Sequence, residues 1–249
     1  MATVITHVWN EEFLLPFWLR HHVPVFDHGI IIDYASTDRT VAICHELAPT
    51  WEVRQSRNPD FNAAECDVEV METEREIEGW KIALTTTEFL HGINLAQLTE
   101  AIDCSGHNGA QVRPVAMVDM AEHANLTDDP LTEQCHTGFF GGYMEPYKAR
   151  VIHRHPDGAY SPGRHGTGHG DLIHYPDGAL ILWYGFAPWT SETRQRKLQI
   201  QNRIPQADKN AGYGGHHLMD ETQLHASWQA MVGQSGDLRQ VPEYASVIG

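Results

Sequence analysis

The sequence predicts an α/β protein, a Rossmann-like three-layer α/β/α sandwich around a mostly parallel central sheet. Three observations predict it. The first 55 residues read as strand, helix, strand, helix, strand, an order that calls for right-handed crossovers between parallel strands. Ile30-Ile31-Ile32 is a continuous apolar run ending at Asp33, the pattern of a central strand covered on both faces. The chain has 249 residues, 41% of them hydrophobic, enough for one sizeable core and too apolar for disorder. No linker-like stretch divides it, so residues 1–249 are expected to form one domain.

Residues 3 to 8 read as a short buried strand. Asn10-Glu11-Glu12 opens a helical stretch carrying Phe13, Leu14, Leu15, Phe17, Trp18 and Leu19, with Pro16 near its first turn, where a missing N–H matters least. After Asp33, the capping types Ser36, Thr37 and Asp38 precede a helix running to about Ala48. Residues 51 to 55 alternate as a strand, 63 to 78 have an acidic helical composition, and Trp80 to Leu84 is the next strand. Residues 94 to 103 look helical and Gln111 to Met120 extended. Residues 137 to 170 are rich in Gly, Pro and His and read mainly as loops. Ala179 to Tyr184 is a strand, Ser191 to Ile204 a basic helix capped by Ser191, and 220 to 232 a last helix.

The formal net charge is −16, which repels phosphate backbones and anionic lipid and disfavours nucleic-acid and membrane-surface roles, though not a local nucleotide site. Cys44, Cys66, Cys104 and Cys135 are scattered, with no Cys-x-x-Cys knuckle, and read as reduced thiols. The start lacks a basic signal-like segment, and no run approaches the roughly 20 apolar residues of a membrane span. Together these lead us to expect a soluble cytoplasmic protein. Seventeen histidines are an unusual number, and several crowd the C-terminal half.

In open α/β sheets ligands sit beyond the carboxyl ends of the strands. Three strand ends here carry polar clusters: His7 to Glu12, Asp33 to Asp38, and Thr85 to Glu88. They are expected to meet at one crevice, with Asp33 offering an acceptor to a base N–H and Ser36 and nearby backbone N–H groups facing ribose or phosphate. For the second cluster alone, a plain helix cap explains the residues equally well. No G-x-G-x-x-G follows the first strand, which disfavours a dinucleotide site.

These same residues carry a resemblance. Val4-Ile5-Thr6-His7-Val8-Trp9-Asn10-Glu11-Glu12 resembles the opening strand and N-E-E turn of family 2 glycosyltransferases. Ile31-Ile32-Asp33-Tyr34-Ala35-Ser36-Thr37-Asp38-Arg39-Thr40 is similar to their second strand and D-x-x-S-x-D-x-T turn, and Trp80 to Leu90 to their W-x-x-x-L-D-x-D-E-F-L segment. The match in order and spacing spans about residues 3 to 92 and is loose thereafter. It implies a GT-A fold, with residues 1–92 as a nucleotide-binding half and 93–249 as an acceptor-binding half. It implies a UDP- or GDP-linked sugar donor and an acceptor hydroxyl on a glycan, a lipid-linked or another molecule. By position, His7, Asn10 and Asp33 become nucleotide contacts, with Ser36 and Asp38 shaping the turn. Transfer in the family is usually inverting and needs a carboxylate base; Asp119 and Glu122, after the strand near residue 118, are the candidates, and Asp171 a weaker one.

The sequence departs from the family at its metal-binding turn, where the two D-x-D aspartates are Thr85 and Thr87. A hydroxyl is a poor hard-cation ligand beside a carboxylate. Three outcomes follow: a divalent metal held by Glu88 with His165 and His169, a metal-free site with cationic side chains on the diphosphate, or binding without turnover. His165-Gly166-Thr167-Gly168-His169 has the freedom to aim both imidazoles at one point, although an exposed polar loop explains it as well. His216-His217 follows another Gly-rich turn. The basic helix with Arg194, Arg196, Lys197 and Arg203 offers a diphosphate clamp or a merely solvated face. Trp183, Tyr184, Phe186 and Trp189 suit an acceptor sugar or, more simply, the core. A non-catalytic nucleotide or sugar binder is the first alternative. A histidine-rich metal-dependent hydrolase ranks below it, because no H-E-x-x-H pattern is present.

Overall fold

The fold is described from a computed structural model, over residues 1–92, 94–141, 148–211 and 217–248. β1 (Ala2–Val8), β2 (His28–Asp33) and β3 (Glu52–Gln55) are parallel neighbours, linked through α1 (Leu15–His22) and α2 (Thr40–Leu47). α3 (Ala63–Arg75) returns the chain to β4 (Trp80–Ala83), parallel to β1 on its other side. Then follow β5 (Glu88–Gly92), α4 (Leu95–Cys104), β6 (Gly109–Val118), α5 (Leu131–Gln134), β7 (Thr137–Phe140), β8 (Arg150–His153), β9 (Leu172–His174) and β10 (Ala179–Phe186). The chain ends with α6 (Ser191–Gln199), a tight turn of helix over Ile200–Arg203, α7 (Gln206–Ala211), α8 (Glu221–Val232), β11 (Gly236–Asp237) and α9 (Pro242–Ile248).

The sheet is mixed, in the order β3-β2-β1-β4-β8-β6-β7-β11, with β9 and β10 parallel to β6 and β5 antiparallel to β10 off that path. Its β3-β2-β1-β4 portion is wholly parallel, and β8 runs antiparallel between β4 and β6. Alternate residues explain the layers. Val4, Val8 and Ile31 pack with Leu15, Trp18, Leu19 and Cys44 of α1 and α2 on one face. Ile5, Ile30 and Ile32 point the other way, onto Cys66 and Val70 of α3. A third cluster joins Trp183, Phe186 and Trp189 to Leu224 of α8. The result is an α/β protein with helices on both faces of the sheet, as the strand–helix alternation predicts.

Several details differ from the sequence reading. Residues 137 to 170 are not mainly loop, because β7 and β8 lie within them. Each is only four residues long and held by antiparallel partners, so no periodic window reveals it. Glu88 begins β5 rather than ending a turn, since Trp183 of β10 pairs with it. α2 starts at Thr40, later than the capping residues suggest, because Ser36 and Asp38 are used elsewhere. α6 ends at Gln199, and its cap is Thr190, whose Oγ1 accepts the Thr193 N–H, rather than Ser191. All four cysteines are free, three buried and Cys104 exposed. Among the described residues, no helix is long and apolar enough to cross a membrane.

Candidate active site

Two turns follow the adjacent ends of β1 and β2, and each is built partly from the other. The Asn10 N–H donates to Ser36 Oγ (3.0 Å), and Asn10 Oδ1 accepts the Thr37 N–H (2.8 Å). Asp38 accepts N–H bonds from Glu12 and Thr40, and the Glu11 N–H donates to Thr40 Oγ1. Asp33 accepts the Ser36 N–H at 3.1 Å. Asn10 and Ala35 take positive φ values of 51° and 58°, conformations such tight turns impose. Asn10, Asp33, Ser36 and Asp38 therefore organise the turns, and Asp33 is buried behind the cavity wall rather than in it.

The cavity beyond these strand ends has a volume of about 320 Å³. His7, Tyr34 and Phe61 form one wall as an aromatic group, with ring centroids 5.8 to 6.2 Å apart. The same cavity is lined by five cationic side chains, Lys148, Arg150, Arg164, Arg196 and Lys197, an unusual concentration in a chain of net charge −16. Three are paired. Arg164 reaches Asp67 at 2.5 Å and His7 Nδ1 at 3.1 Å. Arg196 binds both carboxylate oxygens of Glu11 at 2.5 and 2.7 Å and the Thr86 hydroxyl at 3.0 Å. Burial, then the charges of Arg164 and Arg150, push His7 well below the ordinary histidine range, so it is a neutral ring.

Arg150 pairs with Glu88 through two contacts of 2.7 and 2.8 Å, with the side chains 3% and 1% exposed. Its Nη1 also donates to the Gly163 and Arg164 carbonyls and approaches His165 Nδ1 at 3.1 Å. Burial alone would raise the Glu88 pKa, but the Arg150 charge and hydrogen bonds, with the Thr85 N–H, hold it below the usual range. The Thr85 and Thr87 hydroxyls bond to each other at 2.9 Å. This turn does not fit a divalent cation. Its single carboxylate is engaged by a guanidinium, and a second positive charge would stand where Arg150 already does.

Lys148 and Lys197 make no ion pair among the described residues. Their Nζ atoms lie 4.8 and 5.6 Å from the Trp183 ring centroid, and Lys197 is 4.1 Å from that of Phe186. Burial, partly offset by Glu88 and reinforced by Arg150, lowers Lys148 to about 8. Burial, then Arg196 and Lys148, lowers Lys197 to about 7. Gly185 is needed here, since a Cβ on it would come within 2.1 Å of the Trp183 indole, itself in the cavity wall. Two half-buried ammonium groups with no carboxylate partner among the described residues are what an anionic ligand would complete.

His7, Glu88, His165 and Lys197 thus line one cavity. Glu88, His165 and His169 are not gathered into one donor set. Arg150 stands between the first two, and His169 instead stacks on His155 at 3.7 Å and bonds the Asp157 carbonyl. Burial, then Arg150 and Lys148, lowers His165 to about 3. Arg194 lies outside the cavity, over the Trp189 ring and 3.0 Å from Glu122, which is exposed. Asp119 is buried at the end of β6, accepts the Trp189 N–H and bonds His123 Nδ1, both at 2.9 Å, and is also outside the lining. His217 lines the cavity, while His216 falls outside the described residues.

Sequence reasoning missed Arg150, Arg164, Asp67 and the Glu11–Arg196 pair. One signal was available for Arg150, an isolated charge beside the apolar Val151-Ile152, which in a buried strand demands a partner. Asp67 and Arg164 are 97 residues apart, and nothing local links them.

No family model matches the sequence, and no curated protein matches it. Solved structures do. S. aureus TarS 1-349 in complex with UDP aligns with 97% of this chain and 81% of its own, at 12% identity and TM-score 0.44. HddC from Yersinia pseudotuberculosis aligns with 79% of this chain and 97% of its own, at 10% identity and TM-score 0.43. Glucosyl-3-phosphoglycerate synthase from Mycobacterium tuberculosis, in complex with Mn2+, UDP and glucosyl-3-phosphoglycerate, aligns over 74% and 70%, at 12% identity and TM-score 0.40. In another S. aureus TarS structure only 23% of that chain is covered, by 51% of this one. At these identities and scores the likenesses assign neither a family nor an activity.

Proposed function

We propose that the chain is a GT-A-type glycosyltransferase of the family 2 kind. It would move a sugar from a UDP- or GDP-linked donor to an acceptor hydroxyl with inversion, without metal at the donor diphosphate. The observation that carries this is the cavity at the ends of β1 and β4, lined both by an aromatic group and by five cationic side chains. A nucleoside diphosphate is a flat ring joined to a polyanion, and the two kinds of lining match its two parts. His7, Tyr34 and Phe61 would cover the base and ribose. Lys148, Lys197 and Arg196 would face the diphosphate, where the family resemblance puts a metal.

In the transfer step the acceptor oxygen attacks the anomeric carbon. The bond from that carbon to the diphosphate oxygen breaks, and its electron pair leaves with the nucleoside diphosphate. The lysine ammoniums would stabilise that growing charge, the electrostatic role a cation otherwise fills. The acceptor proton passes to a carboxylate. Asp119 is our proposed base; it stands at the end of β6, beside β10, which contributes Trp183 and Gly185 to the cavity, and because it does not itself line the cavity, acceptor binding must open a path to it.

Calorimetric titration with UDP and GDP, with and without Mg2+ or Mn2+, tests the reading, followed by turnover assays with labelled nucleotide sugars. We expect binding of one nucleotide, unchanged by the metals, and transfer or slow donor hydrolysis. Absence of binding to any nucleoside diphosphate or nucleotide sugar would overturn it. A second reading, binding without turnover, is favoured by the position of Asp119 outside the cavity lining, and predicts nucleotide binding with neither transfer nor hydrolysis.

A further inference from the structure

We infer a transition-metal site, of the zinc class, formed by His155, His169 and Asp171 at the neck of the loop between β8 and β9. One ligand atom from each residue lies within 4.8 Å of the other two. None of the three lines the cavity, so the site is separate from the one described above.

Neighbouring groups restrain the donor atoms of these side chains. His169 uses Nε2 to donate to the Asp157 carbonyl at 2.8 Å, which leaves Nδ1 as the nitrogen with a free lone pair. The Asp157 carboxylate is itself tied to Arg75 and the Ala159 N–H. Asp171 spends Oδ2 on Asn108 Nδ2 at 2.6 Å, while its Oδ1 stands 3.0 Å from His155 Nε2. That His155 nitrogen is shielded from water, yet it makes no properly directed hydrogen bond, even to the nearby Oδ1. A cation between them would satisfy a lone pair that the protein leaves unanswered. Two imidazoles and one carboxylate suit zinc, cobalt or nickel better than magnesium, with water completing the coordination. The two rings now lie face to face, 3.7 Å apart and 9° from parallel, and chelation would tilt them toward a shared vertex.

The position gives the site a purpose. His155 follows β8, Asp171 precedes β9, and both strands lie against the start of β6, so the metal would pin the two ends of one loop. The Tyr160–Thr167 bridge folds that loop into a hairpin. Its tip carries Pro162, Gly163, Arg164 and His165 into the cavity wall. From His165 at the tip to Asp171 at the neck is six residues, a reach of at most about 20 Å. Closing the neck removes conformations from the free loop and thereby steadies Arg164 where it meets Asp67 and His7.

The test is metal uptake by the whole purified chain, first stripped with chelator. Zn2+ titration by calorimetry should give one equivalent bound, and Co2+ should give the visible absorption of a low-symmetry site. Asp171→Asn and His169→Gln should each weaken Zn2+ binding at least 10-fold, with circular dichroism confirming a folded chain. His165→Gln should leave uptake unchanged. Failure of the wild-type chain to bind Zn2+ or Co2+ overturns the site. So does undiminished uptake in the folded Asp171 and His169 variants, or loss of uptake in the His165 variant. Nucleotide binding is measured separately, so failure here is distinguishable from failure of the proposed transferase reading.

Discussion

Arg150 holds Glu88 by both carboxylate oxygens in a place almost closed to water. A buried pair of this kind is costly to break from one side, because the remaining charge is left unpaired. Arg150→Met should therefore destabilise the fold by about 3–5 kcal/mol, read from urea unfolding. Replacing both residues by apolar ones should restore much of that loss. A double-mutant cycle with no coupling would show that the pair does not act as a unit.

Lys148 and Lys197 set a pH dependence. Their ammonium forms persist below about 7 for Lys197 and about 8 for Lys148, and are lost as pH rises through those values. Affinity for a nucleoside diphosphate should therefore be greatest near neutral pH and decline toward pH 9. Lys197→Met should weaken binding by roughly 10-fold, about 1.4 kcal/mol, and flatten the lower part of the profile. Calorimetry across that pH range checks it, and a level wild-type profile would contradict the lysine assignment.

His22 is wholly buried and uses both ring nitrogens. Nδ1 donates to the Trp18 carbonyl at 2.9 Å, and Nε2 accepts the Leu90 N–H at 3.2 Å. A proton on Nε2 would set one N–H against another. Burial, with neighbouring His21, keeps its pKa well below the ordinary value. The unfolded chain thus binds a proton below about pH 6.5 that the folded chain refuses. Stability should fall as pH drops below that point, by up to about 1.4 kcal/mol per pH unit for each such histidine. Thermal melts from pH 7.5 to 5 test this, and His22→Gln should reduce the slope.

Asn10 joins the two turns while holding φ at 51°. Asn10→Ala keeps the backbone strain and loses the acceptor for the Thr37 N–H, so we expect about 1–2 kcal/mol of lost stability. Asn10→Gly loses the same acceptor but tolerates the φ, and should lose less. Equal losses in thermal denaturation would mean that the backbone conformation contributes nothing.

The alternating elements of residues 1 to 55 were legible because apolar runs and turn residues there follow one another at regular spacing. The place of His7 was legible for the same reason, since it sits at a strand tip that the pattern locates. The role of Asp33 was not. The same carboxylate can face a ligand or bond its own turn, and only the fold reveals that it bonds Ser36. Arg150, Arg164 and Asp67 were illegible because their meaning lies in partners 62 to 97 residues away.

β6 has a consequence for how the chain holds together. Its first residues, Gly109–Val112, pair with β8, while its later ones pair with β7 and β10. β10 in turn carries β5, and β8 is wedged against β4. A fragment severed at residue 92 would keep β5 but lose its only partner, and would expose the flank of β4 as a raw edge. The early half reads like a self-sufficient module, yet its last two strands are stitched to segments made much later. During synthesis it must wait for residue 186 before its sheet is closed.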